Sequence, residues 1–304
     1  MEIKQHLEIR HHNAITTARY GYSEMQLDLL FYLLSQLRKE DTSGVYYLPV
    51  KDLAEVTGKK QNHAQLKNAT ADMGSRVFEV LSKTSYKQLW MFQSIEYLDG
   101  EGTVAVKLSE DIRPYLFELR ENFTSFQLYA ALRLPSKYSK RIYQLCSQWK
   151  DKGQTPKMEI VELKRMLGII DDKGADKLKQ IVQLRARVLD LAITQISERT
   201  DLKVTYELFK KGRSFEKVRF YITRQKTVPQ PSIAFEQPLE EIKVAAARRN
   251  LDILKIVRPE LVNRILSDPT SVAAVNRFMY DLRNETVKAT INAGGLLLKT
   301  LGLV

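Results

Sequence analysis

Residues 158–168 read "MEIVELKRMLG", and residues 48–58 of the same chain read "LPVKDLAEVTG". The two superpose without gaps at an offset of 110, so that Leu48, Val50, Leu53, Val56 and Gly58 fall on Met158, Ile160, Leu163, Met166 and Gly168. Upstream, "LLSQLRK" (33–39) matches "LCSQWKD" (145–151) at an offset of 112. The matches agree in order and spacing, which marks an internal repeat. In the first copy the apolar period predicts a helix over 23–39 behind the N-cap Ser23, a strand "VYYLPV", a brief helix over 51–57 stopped at Gly58, and a longer helix over 62–76. The strand-like stretches "LWMFQSIEYL" and "TVAVKLS" then flank the turn "DGEG" as a hairpin. The second copy repeats the series with a helix over 136–150, "KMEI", a helix over 161–167, a helix ending near 199, and "LKVTYELF" and "EKVRFYIT" around "KKGRS". This is the order of a winged helix-turn-helix. The expected fold class is α+β, with two tandem winged helix-turn-helix domains related by a pseudo-two-fold repeat, plus a C-terminal helical extension.

A chain of 304 residues that is 44% hydrophobic can bury a sizeable core and has room for two or three domains. Its net charge of +12 calls for a polyanionic partner, and the distribution of that charge localises it. Residues 1–120 hold 15 Lys and Arg against 16 Asp and Glu, residues 121–225 hold 22 against 12, and residues 226–304 hold 11 against 8. The excess lies in a middle segment of about domain size, as phosphate binding requires. The expected domains are 1–120, a first winged helix for dimerisation and backbone contacts; 121–225, a second winged helix that is the main DNA reader; and 226–304, a linker and helical module without an assigned role. "QKTVPQPSIAFEQP" reads as the linker, and the apolar end of the module as packed core.

The hairpin tips differ in the same sense. Asp99 and Glu101 make the first acidic, whereas Lys210, Lys211 and Arg213, with Lys217 behind them, make the second basic. In the first copy Lys59, Lys60, Asn62 and Lys67 remain as candidates for backbone contact. The last helix of the second copy, "RARVLDLAITQISERTD" (185–201), carries the sharpest question. Projected as a regular helix, Ile181, Leu184, Val188, Leu191 and Ala192 form its core side, and Gln183, Arg187, Asp190 and Thr194 its outer strip. A helix-turn-helix places the start of its second helix at the base edges of the major groove, and arginine pairs bidentately with guanine. Arg187 fits that role. Arg185 projects near the apolar side, so either the helix begins close to it or it reaches sideways to phosphate; ordinary solvated arginines are the bland alternative for both. Lys177 and Lys179, on the approach to this helix, suit phosphate contact.

"SKYSKRIYQLCSQWK", "MEIVELKRMLGI", "LRARVLDLAITQISERTD" and "VTYELFKKGRSFEKVRFYI" together resemble the second half of the theta-type plasmid replication initiators, which bind repeated origin sequences called iterons. The resemblance implies that the second winged helix reads one iteron half in the major groove. It implies that the first contacts the other half or, in a dimer, forms the subunit interface. It places Arg185 and Arg187 at the family's basic pair, with one departure at Ala186, where many relatives carry another basic residue. It further implies autorepression by dimers, initiation by monomers, and partnership with a host replicative helicase or initiator and with chaperones.

No catalytic residue, metal ligand or cofactor is expected. A phosphate loop of the form G-x-x-x-x-G-K-[ST] is absent, and His6, His11, His12 and His63 lack the spacing a rolling-circle nickase needs. Cys146, the single cysteine, reads as a buried helical thiol. The chain carries no membrane-length apolar run and no signal-peptide core, so a cytoplasmic, membrane-free protein is expected. A winged-helix repressor without initiator activity is the alternative function, and an origin nickase a third.

Overall fold

The computed structural model describes residues 8–37, 44–57, 63–81, 84–98, 103–117, 119, 122–171, 173–225, 239–283 and 292–303. They fall into two compact units, one of residues 1–39 and 48–233 and the other of residues 40–47 and 234–304. The chain opens with β1 (Glu8–His12) and α1 (Asn13–Thr17), followed by α2 (Glu24–Gln36). Ser23 caps α2 in a capping box, its Oγ accepting from the Gln26 N–H while Gln26 Oε1 accepts from the Ser23 N–H. Leu27, Leu30, Phe31 and Leu34 are buried, as are the polar positions between them, so α2 is the central helix of the first half.

Around it stand β2 (Val45–Pro49), α3 (Val50–Thr57), α4 (His63–Ser75), β3 (Val77–Leu81), β4 (Tyr86–Trp90), β5 (Phe92–Leu98), β6 (Thr103–Leu108), α5 (Pro114–Phe117), β7 (Phe123–Gln127) and α6 (Leu128–Leu132). The second copy consists of α7 (Lys137–Trp149), β8 (Met158–Glu159), α8 (Ile160–Met166), α9 (Ile181–Leu184), a π-helical turn (Arg185–Leu189), α10 (Asp190–Arg199), β9 (Leu202–Lys211) and β10 (Ser214–Arg224). The repeat recurs in the sheets. Their orders are β2-β6-β5 and β8-β10-β9, each with the short strand beside the last strand of the hairpin. The chain thus carries two winged helices.

Two sheets add to that plan. β3 and β4 pair antiparallel, so "LWMFQSIEYL" is not one strand: Leu89 and Trp90 belong to β4, and the chain bends at Met91, whose buried side chain breaks the alternation. β1 pairs with β7 from Glu8↔Gln127 to His12↔Phe123, which ties residues 123–127, beyond the boundary drawn at 120, to the start of the chain. Asp99 and Glu101 lie outside the described residues.

Helix α7 locks the two copies together. Arg141 is buried and donates to Tyr20 Oη (2.5 Å), Gln144 Oε1 (2.9 Å) and the Ala18 carbonyl (2.8 Å), with its guanidinium over the Tyr20 ring. Lys140 Nζ lies 2.6 Å from Asp28 Oδ1 on α2, both side chains buried. Gly168, at φ 65°, ends the turn after α8, and a Cβ there would meet Gly21 Cα at 3.0 Å. Cys146 is buried in α7, and burial pushes its thiol pKa up.

In the second unit α11 (Leu239–Ile253), α12 (Pro259–Leu266), α13 (Pro269–Arg283) and α14 (Ala293–Thr300) share a core of Leu251, Val262, Ile265, Val272, Val275 and Leu297. Asn250 Nδ2 donates to Asn276 Oδ1 (2.9 Å), and Asn276 Nδ2 to the Lys243 carbonyl (3.0 Å). The stretch read as a linker, 225–238, lies outside the described residues from 226 on.

Candidate nucleic-acid interface

The turn between α8 and α9 is held from beneath. Lys164, nearly buried, donates through Nζ to Asp176 Oδ2 and to the Leu178 carbonyl, both at 2.7 Å. Asp171 Oδ1 accepts from the Lys173 and Ala175 N–H groups, and Gly174 takes the left-handed φ of 80° that this tight turn needs. Lys177 and Lys179 project from this braced loop into solvent. Lys137, at the start of α7, has its ammonium pKa lowered by burial and then by the neighbouring charges of Lys177 and Arg76. Positive potential therefore accumulates on this side of the molecule.

The helix that follows is not regular. At Arg185–Leu189 it widens into a π-helical turn, with the Asp190 N–H bonding the Arg185 carbonyl five residues back. The extra residue re-phases everything downstream. Leu189 is fully buried and Leu191, placed on the core side by the regular projection, is 39% exposed, while Leu184, Val188 and Ala192 stay in the core and Ile181 is half-buried. Arg185, Ala186 and Arg187 all face solvent, and Arg185 keeps the α-helical register of α9, its N–H bonding the Ile181 carbonyl, so it stands exposed at the edge of the apolar side.

The two arginines differ in what holds them. Arg185 Nε donates to Tyr206 Oη on β9 at 3.2 Å, and the Tyr206 hydroxyl donates to Asp190 Oδ1 at 2.6 Å. Arg187 makes no side-chain hydrogen bond or ion pair with the described residues. Gln183 is half-buried, and Thr194 is exposed, with its hydroxyl donating to the Asp190 carbonyl. Sequence reasoning missed Tyr206 altogether. No motif points to it, because its role arises only where β9 folds back against the helix and its hydroxyl meets Arg185 and Asp190.

The second hairpin turns at Gly212–Arg213, with Gly212 at φ 63° in the first central position, where glycine relieves the strain. Arg213 stands exposed at the tip, Lys210 Nζ lies 5.0 Å from the Phe215 ring centroid, Lys211 pairs with Glu216 at 3.2 Å, and Lys217 pairs with Glu159 at 3.1 Å. Lys67 is exposed on α4 in the first winged helix; Lys59, Lys60 and Asn62 lie outside the described residues. Among the described residues no group of three or more His, Cys, Asp and Glu comes together as a metal site, and no helix is long and apolar enough to cross a membrane.

A family model described as the initiator replication protein, first winged helix, matches residues 8–147, and one described as the initiator Rep protein, second winged helix, matches residues 159–222. The chain belongs to the plasmid replication initiator family. The PI protein of Escherichia coli is 31% identical to this initiator-family chain over 139 residues, which is 41% of the chain and 45% of that relative. The match thus spans less than half of the relative's length. A crystal structure of the Pi initiator protein in complex with iteron DNA superposes with a TM-score of 0.61 at 22% identity, covering 74% of this chain and 100% of that one, a likeness of fold. A structure of domains 2 and 3 of RctB covers 66% of this chain and 80% of its own at 13% identity and a TM-score of 0.37.

Proposed function

We propose that this chain is a sequence-specific DNA-binding initiator of plasmid replication that binds iteron repeats in origin DNA and recruits host replication proteins from the cytoplasm. One observation carries the reading: in a chain of the initiator family, the second winged helix carries Arg185 and Arg187, both exposed, on the turn that leads into its last helix, and a basic hairpin follows. The helix enters the major groove, where an arginine reads a guanine edge, and Lys177, Lys179, Lys210, Lys211 and Arg213 take phosphates on either side. Residues 121–225 are the main reader. The first winged helix adds backbone contacts through Lys67 and carries dimerisation.

The outer face of the β3–β4 ladder supports that last role, since Leu81, Tyr86 and Trp90 share it and are 51%, 54% and 48% exposed. Dimers repress the initiator's own gene, and monomers start replication. Light scattering over a concentration series of DNA-free protein should show the average mass rising with concentration, and a constant mass would contradict the exchange. Repression alone would not account for replication. A plasmid that carries this gene with its flanking repeats and no other usable origin should yield transformants; none, with expression verified, overturns the initiator reading and leaves a repressor.

A further inference from the structure

We propose that Tyr206 and Asp190 are positioning residues that present Arg185 to a guanine, so that Arg185 and not Arg187 is the base-reading arginine. The inference rests on the DNA-reading function above and assigns the reading within it.

The π turn and the hairpin close a ring of hydrogen bonds around one side chain. The Arg185 carbonyl accepts from the Asp190 N–H, Arg185 Nε donates to Tyr206 Oη, and the Tyr206 hydroxyl donates back to the Asp190 carboxylate at 2.6 Å. The tyrosine is itself fixed. It sits in β9 opposite Phe220, which is 1% exposed, with the ring centroids 6.4 Å apart. A phenol that gives its proton to a carboxylate has its lone pairs directed outward, and a guanidinium Nε–H is the donor that reaches one here.

The consequence for recognition is geometric. With Nε engaged, the two Nη groups remain, and their parallel N–H bonds form the fork that matches guanine O6 and N7. Arg185 is therefore held before DNA arrives, with its reading edge free. Arg187, which makes no side-chain hydrogen bond to the described residues, must be ordered by the DNA itself, which suits a phosphate contact. Both arginines are exposed on this turn, and of the two only Arg185 hydrogen-bonds a described residue of β9.

The test uses the full chain and a duplex selected by it from a random pool, with a scrambled duplex of equal composition as the reference. Tyr206→Phe keeps the ring and removes both hydrogen bonds. It should weaken binding to the selected duplex roughly tenfold, within the range expected for a damaged bidentate contact, and leave the scrambled duplex unchanged. Asp190→Asn, which still accepts from the phenol, should retain most of the discrimination that Asp190→Ala loses. In an Arg185→Ala background Tyr206→Phe should have no further effect. Replacing single guanines by 7-deazaguanine, which lacks the N7 acceptor, should reveal one position that weakens the wild type but not Arg185→Ala. Equal losses by Tyr206→Phe on both duplexes, or a loss that persists without Arg185, would show a purely structural tie between helix and hairpin and overturn the proposal alone. A wild-type chain that selects no sequence overturns the DNA-reading function and the proposal with it.

Discussion

His11 shows how much a single buried side chain can impose on the whole fold. It is fully buried in β1 against Phe126, Nδ1 donates to the His12 carbonyl, and burial, with the nearby charges of Arg141 and His12, lowers its pKa to about 4. The unfolded chain binds the proton near 6.5, so the native state gains nothing from His11 titration above that pH and loses stability as the pH falls from 6.5 toward 4. Urea unfolding at pH 4.5 should therefore show about 2–3 kcal/mol less stability than at pH 7 from this group, and His11→Gln should remove that part of the difference; an unchanged pH dependence would contradict it. Lys140 makes the converse case. Its ammonium is buried against Asp28, so Lys140→Met removes the counter-charge of a buried carboxylate and should cost about 3–5 kcal/mol, read as a lower urea midpoint at constant slope. Neither residue was legible in the sequence. Burial at both positions depends on partners more than a hundred residues away, Phe126 for His11 and Asp28 for Lys140.

Elements were more legible than residues where the apolar period was carried by aliphatic side chains. "MEIVELKRMLG" and "LPVKDLAEVTG" announced the same strand-and-helix corner twice, Ser23 caps the helix expected of it, and Ser136 caps its counterpart in the second copy. The β1–β7 ladder stayed hidden because "EIRHH" alternates isoleucine and histidine inward, and a histidine does not read as core. The π turn stayed hidden for a related reason: a projection that assumes 3.6 residues per turn places Leu191 on the core side, where the structure leaves it 39% exposed and buries Leu189 instead. The hairpin β9–β10 can be tested as an element. Replacing Lys210, Lys211 and Arg213 by Ala one at a time should weaken binding to every duplex alike and flatten the salt dependence by roughly one unit of slope for each phosphate no longer neutralised. Lys211 should give the smallest change, since Glu216 already shares its charge. An effect confined to one sequence would make the hairpin a base reader instead.

The molecule as a whole divides its charge and its cores differently. Its +12 is concentrated in residues 121–225, while residues 234–304 belong to a separate compact unit with its own apolar cluster and a buried Asn250–Asn276 pair. Calorimetry should accordingly resolve two transitions, with Asn276→Ala lowering only the one assigned to the helical unit; a single cooperative transition shifted as a block would contradict that independence. The charge partition and the repeat made the DNA-binding half readable from the amino-acid order alone, whereas the helical unit, whose role the match to initiators does not reach, offered only an amphipathic pattern. The central claim is that the basic second winged helix selects a sequence and does not merely attract phosphate. Its most direct test is the ratio of dissociation constants for the repeated duplex flanking the gene and for a scrambled duplex, measured across several salt concentrations. The expected ratio is at least about a thousand, persisting as salt weakens both affinities; equal affinities that fall together with salt would reduce the protein to a nonspecific polycation and contradict the account.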